Sequence, residues 1–227
     1  MKAHTIILFK ATILIFLSIL SCTSEKKELE TQFSHTISND ISNQQISAFA
    51  EDEFGHIWIG TFRGLNKFNA YEYHQYFNSD DSLSISDNQV KDILCDSEGR
   101  IWIATVNGTC QYTEQDCFQR IPIESESQYA LQIVESKEGR IFLNMGFELC
   151  EYIPEEERFK VVIPDLFHNN TYTFNIFIDE SDNLWTINAG LIRCFDLATM
   201  ELRASFDREE QQTQYAYLRD NGELWLP

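Results

Sequence analysis

The chain of 227 residues holds five histidines, His4, His35, His56, His74 and His168, and none stands in an HxH or HExxH spacing that would turn two imidazoles toward one metal. No metal centre and no cofactor are expected. No GxSxG elbow is present, and the GxxxxG formed by Gly55 and Gly60 lacks the following Lys-Ser or Lys-Thr that would cradle a phosphate. Carboxylates are abundant, at 36 Asp and Glu. Asp52, Asp96 and Asp179, however, fall at equivalent places in successive repeats, where a carboxylate caps turn backbone rather than moving protons. No catalytic residue is predicted. Besides Cys22, the cysteines Cys95, Cys110, Cys117, Cys150 and Cys194 are odd in number and lack CxxC spacing, which fits neither a full disulfide framework nor a zinc site. Three of them recur at nearly one repeat position and read as buried packing residues, with one disulfide left open.

The elements that must carry any site come from internal repetition. Aligned on an aromatic, the chain reads EDEFGHIWIGT around Trp58, CDSEGRIWIAT around Trp102, ESKEGRIFLNM around Phe142, IDESDNLWTIN around Trp185 and LRDNGELWLP around Trp225. The anchors are 44, 40, 43 and 40 residues apart. That period and the alternating pattern predict an all-β fold, a β-propeller of four-stranded blades. Four blades are complete and a fifth is begun.

Three residues before each anchor stand Gly55, Gly99, Gly139, Asp182 and Gly222, where a tight turn between the first two strands needs a positive φ. The second strand is apolar on both faces, as a strand wedged between neighbouring blades must be. Phe49, Ile93, Ile133, Ile176 and Ala216 mark the first strand, and Phe68, Tyr112, Tyr152 and Phe195 the third. Tyr73 to Phe77, Phe118 and Phe159 mark the fourth. Residues Thr31 to His35 read as a further fourth strand without a blade of its own, of the kind that closes a propeller ring. Only Leu226 and Pro227 follow Trp225, so a fragment of a longer propeller, a truncated reading frame, or else an imperfectly closed ring of about five blades is expected.

The recurring tryptophans occupy one column and are assigned to the core rather than to sugar stacking. Ligand-binding candidates are instead the residues that break the pattern in the loop after the second strand, Phe62, Arg63 and Asn107. Loops on a rigid scaffold carry function, and Arg with Asn suits sugar hydroxyls or a uronate carboxylate.

The first 22 residues combine a positive start with an apolar run from Ala11 to Ser21, the length of a signal h-region, and Lys10 interrupts any longer span. Residues 1–22 are thus expected to direct export, 23–30 to form a polar tether and 31–227 to form the propeller. The formal charge of −19 disfavours nucleic acid and anionic lipid as partners.

Two resemblances extend this reading. Ile19-Leu20-Ser21-Cys22 resembles a bacterial lipobox, which implies lipidation of Cys22 and attachment to the membrane by the N-terminus alone. ISNQQISAFAEDEFGHIWIGTFRGLNKFN, with Asp52, Gly55, Trp58, Gly60, Thr61, Gly64 and Leu65 on the pattern, resembles the two-component regulator propeller repeat, as does the second copy through Asp96, Gly99, Trp102, Thr105 and Gly108. The later copies depart from it at Phe142, Asp182, Met145 and Asn188. The resemblance implies a non-catalytic periplasmic sensor module, the input region of a hybrid two-component regulator. Its expected partners are an oligosaccharide or other envelope ligand, further blades and a sensor kinase. A propeller lyase and a non-functional remnant are the alternatives.

Overall fold

The computed structural model describes residues 35–166, 175–188 and 190–207, and the backbone of 217–218 and 224–225. Cys22, the expected signal and tether, residues 31–34, Ala216 and Gly222 lie outside the described residues. The first sheet contains β1 (His35–Ser38), β2 (Ile46–Glu51), β3 (Ile57–Thr61), β4 (Gly64–Phe68) and β5 (Tyr73–Tyr76). The second contains β6 (Val90–Cys95), β7 (Ile101–Thr105), β8 (Gly108–Tyr112) and β9 (Phe118–Ile121). The third runs through β10 (Ile123–Glu124), β11 (Gln132–Glu135), β12 (Ile141–Asn144), β13 (Leu149–Ile153) and β14 (Arg158–Ile163). A fourth holds β15 (Asn175–Ile178), β16 (Asn183–Asn188), β17 (Leu191–Asp196) and β18 (Leu202–Asp207), and β19 (Tyr217–Leu218) pairs with β20 (Leu224–Trp225).

In each of the four larger sheets four consecutive strands form an antiparallel meander; β1 adds antiparallel to β5 at the edge of the first, and the short β10 adds parallel to β14 at the edge of the third. The first strands of successive sheets, β2, β6, β11 and β15, lie side by side, so the sheets fan out from a common inner edge as propeller blades do. The turns joining first to second strands use the expected left-handed residues, Gly55 (φ 80°), Gly99 (78°), Gly139 (78°) and Asp182 (55°). The third-to-fourth-strand turns also carry a positive φ, at Ala70, Asp116, Glu157 and Met200. None of these is glycine, which is why the sequence does not announce them.

The hydrophobic core sits between sheets. Trp58, Leu65 and Tyr76 of the first sheet pack on Ile93, Ile103 and Phe118 of the second. Trp102 and Ala104 meet Ile133, Leu143 and Phe159 of the third, and Phe142 and Leu149 meet Ile176 and Leu184 of the fourth. Trp58, Trp102 and Phe142 are wholly buried. All five described cysteines are free thiols, and burial pushes Cys110 up to about 11 and Cys150 up to about 12, so both stay protonated and unreactive.

Two features differ from the sequence reading. His35, the one described residue of the expected closing strand, opens β1, which pairs antiparallel with β5 at the outer edge of the first sheet and so extends the first blade. Phe49 occupies the column of Ile93, Ile133 and Ile176, yet it is 62% exposed where they are buried. The column is buried by a preceding sheet, and among the described residues none lies before β2.

Candidate functional site

Each blade presents the tip of its second-to-third-strand hairpin at one end of the sheets, and Phe62, Arg63 and Asn107 stand on the first two tips. Threonine builds both. The Thr61 hydroxyl donates to the Gly64 carbonyl at 2.8 Å and accepts the Arg63 N–H at 3.0 Å; Thr105 repeats this with the Gly108 carbonyl at 2.8 Å and the Asn107 N–H at 3.2 Å. Gly64 donates to Asn88 and Gly108 to Gln128, so the connection entering each following blade runs beside the tip before it. At Gly64, with φ of 117°, a Cβ would come within 2.9 Å of the Phe77 ring, and this close approach holds the tip down on its neighbour.

All three candidates are exposed. Phe62 is drawn into a small cluster: the Lys91 ammonium lies 5.5 Å from its ring centroid and 5.3 Å from that of Tyr129. Arg63 and Asn107 are not drawn in, and among the described residues neither side chain has a hydrogen-bond or ion-pair partner. Lys91 and Tyr129 escaped the sequence reading because both precede the well-patterned part of their first strands. Lys91 sits in the register shift between Val90 and Asp92, which turns it out of the regular alternation.

The opposite end of the sheets is built differently. Asp52 accepts the indole N–H of Trp58 at 3.0 Å and the backbone N–H groups of Phe54 and His56 at 3.0 and 2.9 Å. Burial works to raise this carboxyl, but the His56 N–H and the indole outweigh it and hold the group below the usual carboxylate range. Asp96 with Trp102 (2.7 Å) and Asp179 with Trp185 (2.8 Å) repeat the lock, as the turn-capping assignment of these carboxylates requires. A cleft of about 740 Å³ opens here between the first two sheets, beside Phe54, Lys67, Glu98, Arg100, Tyr112 and Glu114. Its cations are engaged: Arg100 pairs with Asp96 and Glu98, and Lys67 lies over the rings of Trp58 and Tyr112. Next to it, Asp116 accepts the hydroxyls of Tyr76 (2.6 Å) and Tyr112 (2.7 Å), and burial with this carboxylate raises both phenols well above their ordinary value. Among the described residues no helix is long and apolar enough to cross a membrane.

Comparison with known proteins finds likenesses for part of this chain. The family model of the two-component regulator propeller matches residues 40–63 and 84–107. No curated protein sequence matches the chain. Among solved structures it is similar to the extracellular domain of BT4673 from B. thetaiotaomicron, assigned as a hybrid two component system, at 16% identity and a TM-score of 0.69 over 81% of this chain and 26% of that one. The corresponding domain of BT3049 from the same organism gives 19% identity and a TM-score of 0.71 over 85% of this chain and 29% of that one. Virginiamycin B lyase from Staphylococcus aureus gives 14% and 0.66 over 85% and 66%. The chain thus spans little more than a quarter of the two-component extracellular domains it resembles. At such identities the likeness establishes the fold, a β-propeller, within which residues 40–63 and 84–107 match the two-component regulator propeller model.

Proposed function

We propose that the chain is a non-catalytic, exported sensor propeller, part of the input region of a hybrid two-component regulator, and that it recognises an oligosaccharide at the rim formed by its second-to-third-strand hairpins. The single observation that carries this reading is the rim's unspent chemistry. Arg63 is exposed and unpaired in an acidic chain, one residue from the exposed ring of Phe62 and close to the Lys91 and Tyr129 cluster. A guanidinium offers parallel donors to a carboxylate, and an aromatic ring offers a platform to the C–H face of a pyranose, so an acidic sugar suits the pair. Attachment through Cys22, signalling to a kinase and contact with further blades belong to the same proposal.

Isothermal titration of the full chain against neutral and uronate-bearing oligosaccharides tests it. Heat is expected with the acidic series and is lost in Arg63→Ala. Absence of heat across the panel, for this chain and for a longer parent carrying it, sinks the sensing reading.

A propeller lyase is the second reading, favoured by the larger share of the lyase's length that the chain spans. Such chemistry needs an acid or base at the rim, whereas the three described histidines, His35, His56 and His74, lie toward the opposite end, around the turns that hold Asp52 and Asp116. Turnover of a lyase substrate by the purified chain would favour the enzyme over the sensor.

A further inference from the structure

We propose that His35, His74 and Asp116 form a binding site for a divalent cation of the zinc class, which fastens the N-terminal strand to the first blade and the first blade to the second. No two of these residues are near in sequence. The fold assembles them: β1 pairs with β5 so that His35 faces Tyr76 and Ile37 faces His74, and strand alternation sets His35 and His74 diagonally on one face of the sheet. Their rings stack with centroids 6.1 Å apart. From the second blade the β8–β9 turn brings Asp116, fixed at φ of 58° by its N–H bond to the Thr113 carbonyl.

One ligand atom from each residue lies within 4.8 Å of the other two, and the His35 Nδ1 to Asp116 Oδ2 separation is 3.9 Å. That is too long for a hydrogen bond, and it is within a small side-chain adjustment of the ~3.4 Å between neighbouring ligands in a tetrahedral site with bonds of about 2.0–2.1 Å. The carboxylate is already oriented for the purpose. Tyr76 and Tyr112 both donate to Oδ1, which leaves Oδ2 as the atom that meets the imidazoles, in the manner of groups that orient a metal ligand from behind. All three residues are half-buried, and His74 and Asp116 line a cavity of about 240 Å³, which leaves room for water or a further ligand in the fourth position. Lys67 lines the same cavity, and its ammonium is directed to the Tyr112 hydroxyl and the rings of Trp58 and Tyr112. Two imidazoles and one carboxylate select a borderline cation such as Zn²⁺ over Ca²⁺ or Mg²⁺, which take oxygen ligands.

Titration of the full chain with Zn²⁺ at neutral pH, by calorimetry and by thermal unfolding, tests the site. One zinc per chain is expected, with a rise in Tm that Mg²⁺ and Ca²⁺ do not reproduce. His35→Gln, His74→Gln and Asp116→Asn should each weaken binding at least ~10-fold and abolish the rise. Wild-type protein without zinc heat, or variants that bind as tightly as wild type, would overturn the proposal. Should the variants fail to fold, Co²⁺ loaded into wild-type chain decides: imidazole and carboxylate ligands give visible d–d absorption without the sulfur charge-transfer band, and a band from thiolate would place the metal on cysteine instead.

Discussion

Asp52 and Trp58 form a hydrogen-bonded pair at the base of the first blade, and the third blade lacks both partners at once: Ser136 stands where the carboxylate is expected and Phe142 where the indole is. A buried indole N–H requires an acceptor, and a buried carboxylate requires donors, so each residue makes the other necessary. Phe has no N–H, and the Ser136 hydroxyl still caps the turn by accepting the Arg140 N–H at 3.1 Å.

This exchange should be reproducible. Asp52→Ser is expected to cost about 1–3 kcal/mol in the wild-type background, because it strands the indole, and much less in Trp58→Phe. Urea denaturation of the four proteins of the cycle should give a coupling of about 1–2 kcal/mol, and strict additivity would count against the pairing. The Asp52 carboxyl is held below its unfolded value, so its contribution is present above about pH 4 and is lost as pH falls through the folded value.

Gly60 and Val90 interlock across the first two blades: a Cβ on Gly60 would lie 2.6 Å from Val90 Cγ1. At the next interface the equivalent residues are Ala104 and Ala130, both wholly buried in one cluster. Gly60→Ala is therefore expected to destabilise by about 1–3 kcal/mol, and the Gly60→Ala/Val90→Ala pair to recover most of that. Thermal unfolding of single and double variants checks this.

Asp92 predicts an opposite pH response. Burial pushes it up to about 6, although it accepts the N–H groups of Ile133 and Ile93 at 2.9 Å each. Its folded value lies above its unfolded one, so stability should fall as pH rises from about 4 to about 6, by as much as about 3 kcal/mol. Asp92→Asn should flatten that limb. Urea midpoints at pH 4 and pH 7 measure it, and an unchanged slope in the variant would remove Asp92 as the cause.

At the rim, Phe62→Ala and Arg63→Ala should leave stability within about 0.5 kcal/mol of wild type, because both side chains are exposed at a hairpin tip. Each is expected to lower affinity for the proposed acidic oligosaccharide ~10-fold. A matching loss of Tm would make the two residues structural.

The blades were legible because the residues that make them are forced: a positive φ three positions before an aromatic, apolar flanks on both sides, and a carboxylate that answers an indole. Phe62, Arg63 and Asn107 could be located because they break that pattern at a predictable loop. The partner of β1 was not legible, since an outer strand such as β5 has an open edge that accepts any extended segment, and nothing in His35 to Ser38 names it. Nor was the burial of Phe49's column, which depends on the neighbouring sheet and not on the residue. His35, His74 and Asp116 fall outside every spacing rule because strand register, not sequence distance, brings them together.

The Asp92 carboxylate takes the Ile133 N–H, and one blade further on the Gln132 amide oxygen takes the Ile176 N–H at 2.8 Å. At these two interfaces donor and acceptor are thus dealt out with a direction: the earlier sheet reaches forward with a side chain and the later one offers its main chain. Removing a leading sheet orphans a peptide group in the one that remains, whereas removing a trailing sheet frees a side chain that can turn to water. Opening either interface accordingly costs more on its later face, where an N–H is left without an acceptor, than on its earlier one.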